Sequence, residues 1–176
     1  MKKILWIAAA IAVLAYAVMT ASRKEMPPQS ADTRNSTFTI DSETVTLVDG
    51  VSNAPAAPGS AAQKVTRYFG NEAVGDLNGD GSPDTAFLVT RETGGSGLFY
   101  YAVVLLKLPG GDRATNAFYI GDRIAPQSTL IPAGSRELQI AYAERKKGEP
   151  MTARPSVGAV LLLKVTPEGV LEGLMR

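Results

Sequence analysis

The sequence contains no cysteine and no histidine. Without cysteine there are no disulfides, no thiolate metal sites, no thiol nucleophile and no cysteine to carry an N-terminal lipid. Without histidine, the Ser-His-Asp and Cys-His arrangements, imidazole metal sites and the commonest general base are excluded as well. An enzyme built from this chain would have to work with carboxylates, lysine, tyrosine or a bound ion. An excess of one charge is also lacking. Eighteen Lys and Arg stand against 17 Asp and Glu, a net charge of +1, which is no electrostatic footprint for nucleic acid.

What is present is an ordinary apolar share, 45% of 176 residues, enough for one sizeable core and an N-terminal appendage. Lys2 and Lys3 precede an apolar run from Ile4 to Ala21. Arg23 and Lys24 follow it, and Met26-Pro27-Pro28 ends any helix. One reading is an uncleaved signal anchor, a hydrophobic helix just long enough to span a bilayer, with Trp6 and Tyr16 suited to its two interfaces. The other is a cleavable signal peptide with Ala15-Tyr16-Ala17 as its small-residue site. The first gives a single-pass membrane protein whose domain faces the periplasm or exterior. The second gives a secreted or periplasmic protein cut near Ala17. Residues 22–36 are polar, contain proline and show no periodicity, as a linker does.

From residue 37 to 176 the texture is that of a β-domain. Thr37–Ile40, Thr44–Val48 and Gln63–Phe69 alternate, and Asp49-Gly50 is a turn signal. Residues 53–61 read as a loop. Thr85–Thr90, Leu98–Leu108, Thr115–Ile120, Glu137–Ala143, Val157–Val165 and Val170–Leu174 read as further strands. No segment here has a helical period with caps. The expected fold is all-β: an antiparallel β-sandwich or open barrel of about eight to ten short strands, preceded by the N-terminal hydrophobic helix.

One stretch carries specific chemistry. In Asp76-Leu77-Asn78-Gly79-Asp80-Gly81-Ser82-Pro83-Asp84, oxygen-bearing side chains fall at positions 1, 3, 5 and 9, with glycine at position 6. This is the spacing of a calcium loop. Asp76, Asn78, Asp80 and Asp84 offer side-chain oxygens, and Ser82 stands where such loops use the backbone carbonyl. Gly81 permits the sharp turn. Three carboxylates this close repel one another, and a Ca2+ ion would relieve that cost. Position 12 is Phe87, not the bidentate glutamate of a helix–loop–helix site, so a further ligand is expected from an acid such as Glu72 or Glu92. A tight Asp/Asn/Gly turn that binds nothing has the same composition.

The loop resembles the calcium loops of FG-GAP, VCBS and integrin-propeller proteins, in which such a loop leads into a strand. The motif occurs once, so the resemblance implies the loop chemistry and not a propeller, which needs regular repeats. The stretches YFGNEAVGDLNGDGSPDTAFLVT, GGSGLFYY, IGDRIAPQ and GEPMTARPSVG together resemble a family of small uncharacterised bacterial envelope proteins, over most of residues 38–163. That resemblance implies a membrane-tethered or secreted β-domain with a single calcium loop.

The functional expectation is a binding or structural module of the cell envelope. It would meet the membrane through residues 4–21 and present loops to an envelope protein or glycan, with no nucleic-acid partner. The candidate loops are Gly94–Gly97, Gly121–Gln127 and Glu144–Ser156. The alternative is a carboxylate-dependent hydrolase using a pair such as Glu72 and Asp122 as acid and base.

Overall fold

Two strands form the middle of the protein, and their sequences say why. Thr85-Ala86-Phe87-Leu88-Val89-Thr90 and Tyr100-Tyr101-Ala102-Val103-Val104-Leu105-Leu106 are continuous apolar or threonine runs, with no polar alternation. Such a run is stable as a strand only where both faces are covered. The computed structural model, which describes residues 32–174, covers both.

A short 3-10 turn (Thr33–Asn35) is followed by twelve strands. The first two, β1 (Thr37–Ile40) and β2 (Glu43–Thr46), form a hairpin. The large sheet runs β3 (Val51–Pro55), β4 (Gln63–Gly75), β5 (Asp84–Glu92), β6 (Phe99–Leu106), β7 (Arg113–Ala114), and β8 (Phe118–Asp122) also pairs with β6. A third sheet is ordered β12 (Leu171–Gly173), β11 (Val157–Val165), β10 (Glu137–Glu144), β9 (Ala125–Leu130). All strand ladders are antiparallel.

The large sheet is the middle of three layers. Ala86, Leu88, Ala102, Val104 and Leu106 on one face of β5 and β6 pack with Leu138, Ile140, Leu163 and Leu171 of the third sheet. Phe87, Val89, Tyr101, Val103 and Leu105 on the other face pack with Phe38, Ile40, Val45 and Leu47 of the hairpin region. Each fully buried Leu, Val or Phe stabilises by about 1.5–3 kcal/mol, so the hairpin is an integral wall of the second core. The two-sided burial is the reason β5 and β6 lack alternation.

The all-β antiparallel expectation holds, as open layered sheets and not a closed barrel. The expected N-terminal helix, Ile4–Ala21, lies outside the described residues. Among the described residues no helix is long and apolar enough to cross a membrane. At the end of the segment read as a linker, Thr33 and Ser36 are buried. Thr33 donates to the Glu72 carboxylate at 2.7 Å, and Gly50 N–H donates to the Arg34 carbonyl at 2.8 Å.

Two strands stand where the sequence reads as loop. β3 (Val51–Pro55) runs into the expected 53–61 loop, and β9 (Ala125–Leu130) begins within Gly121–Gln127. Both are edge strands of their sheets, where proline is tolerated because an outward N–H is not needed. Pro55 and Pro126 occupy such positions, and β9 adds a register shift beside Pro126.

Candidate functional site

The Asp76–Asp84 loop is the turn between β4 and β5. Leu77 anchors it, being 1% exposed and part of the core shared with the third sheet. Around that anchor the loop's side chains fold back onto its own backbone. Asp76 accepts from Gly79 N–H at 2.6 Å through Oδ1 and from Gly81 N–H at 3.0 Å through Oδ2. Asn78 Oδ1 accepts from Asp80 N–H at 2.9 Å, and Asp80 Oδ1 accepts from Ser82 N–H at 2.7 Å. Asn78 Nδ2 donates to Asp80 Oδ2 at 3.0 Å. Gly79 and Gly81 have φ of +81° and +86°, which L side chains adopt only under strain. The Arg136 guanidinium lies over Gly79, where a Cβ would overlap it.

Asp84 behaves differently from the other acids. It is fully buried. Its Oδ2 accepts from Leu77 N–H at 2.9 Å and Asn78 N–H at 3.3 Å, and its Oδ1 accepts from Lys107 N–H at 2.9 Å. Burial pushes its pKa up, against the pull of these three donors, and the Asp80 charge adds to the upward push. Asp80 is exposed, and the Ser82 N–H and Asn78 amide hold its carboxyl below the usual range. Position 9 therefore braces both ends of the turn, while positions 1, 3 and 5 shape its outer rim.

Among the described residues, no three Asp, Glu, His or Cys side chains converge as a ready metal cluster. The donors present still suit a hard cation: two carboxylates (Asp76 and Asp80), the Asn78 amide oxygen and the backbone at Ser82. Asp84 has one of its four lone-pair positions left once its three N–H donors are counted. The acids expected as extra ligands are engaged elsewhere. Glu72 accepts from Thr33 and Tyr68 hydroxyls at 2.7 and 2.9 Å. Glu92 ends β5 and faces Arg67 at 3.8 Å. Of the candidate acid–base pair, Glu72 is held by the Thr33 and Tyr68 hydroxyls, while Asp122 accepts from Leu98 N–H at 2.9 Å and faces Arg123 at 3.5 Å.

The three loops expected to present a binding surface do meet. Ser96 and Gly97, Asp122 and Arg123, and Met151 and Thr152 line one open cavity of about 620 Å³ with Phe99. Arg145 ties two of these segments together, donating to the Asp122 and Arg123 carbonyls at 3.1 Å each.

Beside it lies a cleft that the sequence does not announce, about 610 Å³, between the tip of the β1–β2 hairpin and the large sheet. Glu43 of β2 accepts there from Lys64 at 2.8 Å and Arg91 at 2.5 Å. These two hydrogen bonds hold the Glu43 carboxyl below its usual range. Phe99, Tyr101 and Tyr119 form the other wall. The Tyr101 and Tyr119 rings meet edge to face at 5.5 Å, and Phe99 and Tyr119 lie 6.4 Å apart. The sequence signal was weak: Arg91 sits at the end of an apolar strand, and its partner Glu43 is 48 positions away.

Fold and loop define a class: a layered antiparallel β-domain with one Asp/Asn-rich hairpin loop. Compared with known proteins, the chain matches no family model, no curated protein and no solved structure.

Proposed function

We propose that this is an extracytoplasmic, calcium-stabilised β-domain, tethered to the membrane or released from it, that serves as a binding module of the bacterial envelope. One observation supports the ion: at loop positions 1, 3 and 5 the side chains curl over the loop's own backbone and accept from the Gly79, Gly81, Asp80 and Ser82 N–H groups, which fixes the loop's fold around its acidic rim. Asp76, Asn78, Asp80 and Ser82 would hold the ion, with Asp84 chiefly bracing the loop beneath it. The ion would supply charge neutralisation and a cross-link between the β4 and β5 ends of the hairpin. Placement outside the cytoplasm, at the membrane or beyond it, is supported by the Lys2-Lys3 and Ile4–Ala21 pattern and by the resemblance to envelope proteins. With only two carboxylates free to face the ion, the expected dissociation constant is on the order of 10⁻⁴–10⁻³ M, the range of extracellular modules.

Binding is favoured over hydrolysis because Glu72 and Asp122, the candidate acid–base pair, are each held by separate partners. Calorimetric titration of the purified chain with CaCl2 tests the reading. Saturable one-site binding lost in Asp80→Ala supports it; no heat beyond dilution refutes it.

A further inference from the structure

The cleft under the hairpin tip has four properties that together specify a ligand class. First, its aromatic wall is incomplete. Tyr119 is 50% exposed although it stands on a sheet face beside the half-buried Phe99 and the buried Tyr101, so one aromatic ring is held open to solvent on a buried aromatic base. Second, its charges cancel: Asp41 and Glu43 stand against Lys64 and Arg91. A strongly anionic or cationic ligand would gain from one pair and lose to the other.

Third, the polar wall is incompletely satisfied. Arg91 is 4% exposed, and its Nε is buried without an acceptor. A buried cation of this kind carries a desolvation cost that stability alone does not require. Fourth, the hairpin tip that borders the cleft is a tight two-residue turn, with Asp41 and Ser42 at φ of +49° and +70°, the left-handed pair that such hairpins favour, so the tip is a defined wall. Burial and the nearby Asp41 charge keep the Tyr101 hydroxyl protonated, able both to donate and to accept.

We infer that this cleft is a binding site for a neutral saccharide. A sugar ring is uncharged, presents C–H groups on one face that pack on an aromatic ring, and carries hydroxyls around its edge that both donate and accept. The exposed Tyr119 ring, flanked by Phe99, takes the C–H face. The Asp41, Glu43, Lys64 and Arg91 heads take the hydroxyls. The volume falls within the range of small-ligand sites, about 300–1,000 Å³. Phe99 also lines the neighbouring cavity with Gly97, Asp122 and Met151, so a second ring can follow the first and the occupant is an oligosaccharide. The site stands at the opposite end of β5 from the Asp76–Asp84 loop and does not depend on an ion there.

The test is isothermal titration of the full chain, in a detergent without a sugar headgroup, against cellotetraose, maltotetraose and N-acetylchitotetraose. Tetramethylammonium chloride and sodium citrate serve as charged probes. The expected result is saturable binding of at least one neutral tetrasaccharide, weakened at least tenfold by Tyr119→Ala. Tyr119→Phe should keep most of the affinity, and Val160→Ala, on an exposed position of the third sheet, should keep all of it. Tyr119 is half exposed, so its variants fold. The inference is overturned by no binding of any tetrasaccharide, by binding that Tyr119→Ala leaves unchanged, or by tighter uptake of either charged probe. Calcium titration of the same samples reports on the loop separately, so either site can fail without the other.

Discussion

Asp84 and Arg91 stand at the two ends of β5, on opposite faces of the strand. Asp84 ties the Asp76–Asp84 hairpin turn to Lys107 of the neighbouring segment. Arg91 holds Glu43 of the N-terminal hairpin. Seven residues of extended chain separate them, about 23 Å. One rigid, fully covered strand thus fixes both the candidate ion loop and the candidate ligand cleft, and each can be perturbed alone.

Asp84→Ala leaves the buried Leu77 N–H and the part-buried Asn78 and Lys107 N–H groups without their acceptor. Unpaired buried donors cost roughly 1–3 kcal/mol each. With one donor buried and two within reach of water, the expected loss is about 2–3 kcal/mol, a fall of roughly 5–10 °C in melting temperature. A drop of a degree or two would mean that Asp84 does not brace the turn.

Phe87→Ala tests the three-layer arrangement. The ring is fully buried and meets Phe38 and Tyr68 at 6.3 and 5.9 Å. Truncating a core phenylalanine costs about 3–5 kcal/mol. Because the ring bears on the hairpin layer, amide exchange should quicken in Thr37–Ile40 and Glu43–Thr46 more than in β10 and β11. Uniform quickening would contradict the assignment of Phe87 to the hairpin-side core.

The Glu43 cluster sets a pH dependence. Lys64 and Arg91 lower the folded pKa of Glu43 below its ordinary 4.5. The unfolded chain therefore binds the proton at higher pH than the folded one. The contribution is complete above 4.5 and is lost as pH falls from there through the lowered folded value. Denaturant melts of wild type and Glu43→Gln should converge as pH drops from 6 toward 3. A difference that stays constant across that range would contradict the pairing.

Much of this was legible in the sequence, for physical reasons that vary by element. Val157–Val165 and Thr37–Ile40 match β11 and β1 because their composition and flanking turns leave no competing structure. β5 and β6 were legible as buried because nothing polar interrupts them. β3 and β9 were not, since Pro55 and Pro126 read as breakers and only the sheet's edge makes them acceptable. β4 continues to Gly75 through register shifts near Gly70, which no local pattern encodes. The loop was legible because its chemistry lies within nine consecutive positions. The cleft was not, because hairpin tip, β4, β5, β6 and β8 each contribute one or two residues that look ordinary alone.

The central claim is that Asp76–Asp84 holds calcium and that the ion stabilises the domain. The most direct measurement is the melting temperature of the purified chain in calcium and in chelator. At about ten times the dissociation constant the ion adds RT ln 11, roughly 1.4 kcal/mol, or about 3–6 °C. The account predicts that rise in calcium, a smaller one in magnesium, which demands tighter octahedral geometry, and none in Asp80→Ala. Equal melting temperatures in saturating calcium and in chelator would contradict it and leave the loop a turn held by its own hydrogen bonds.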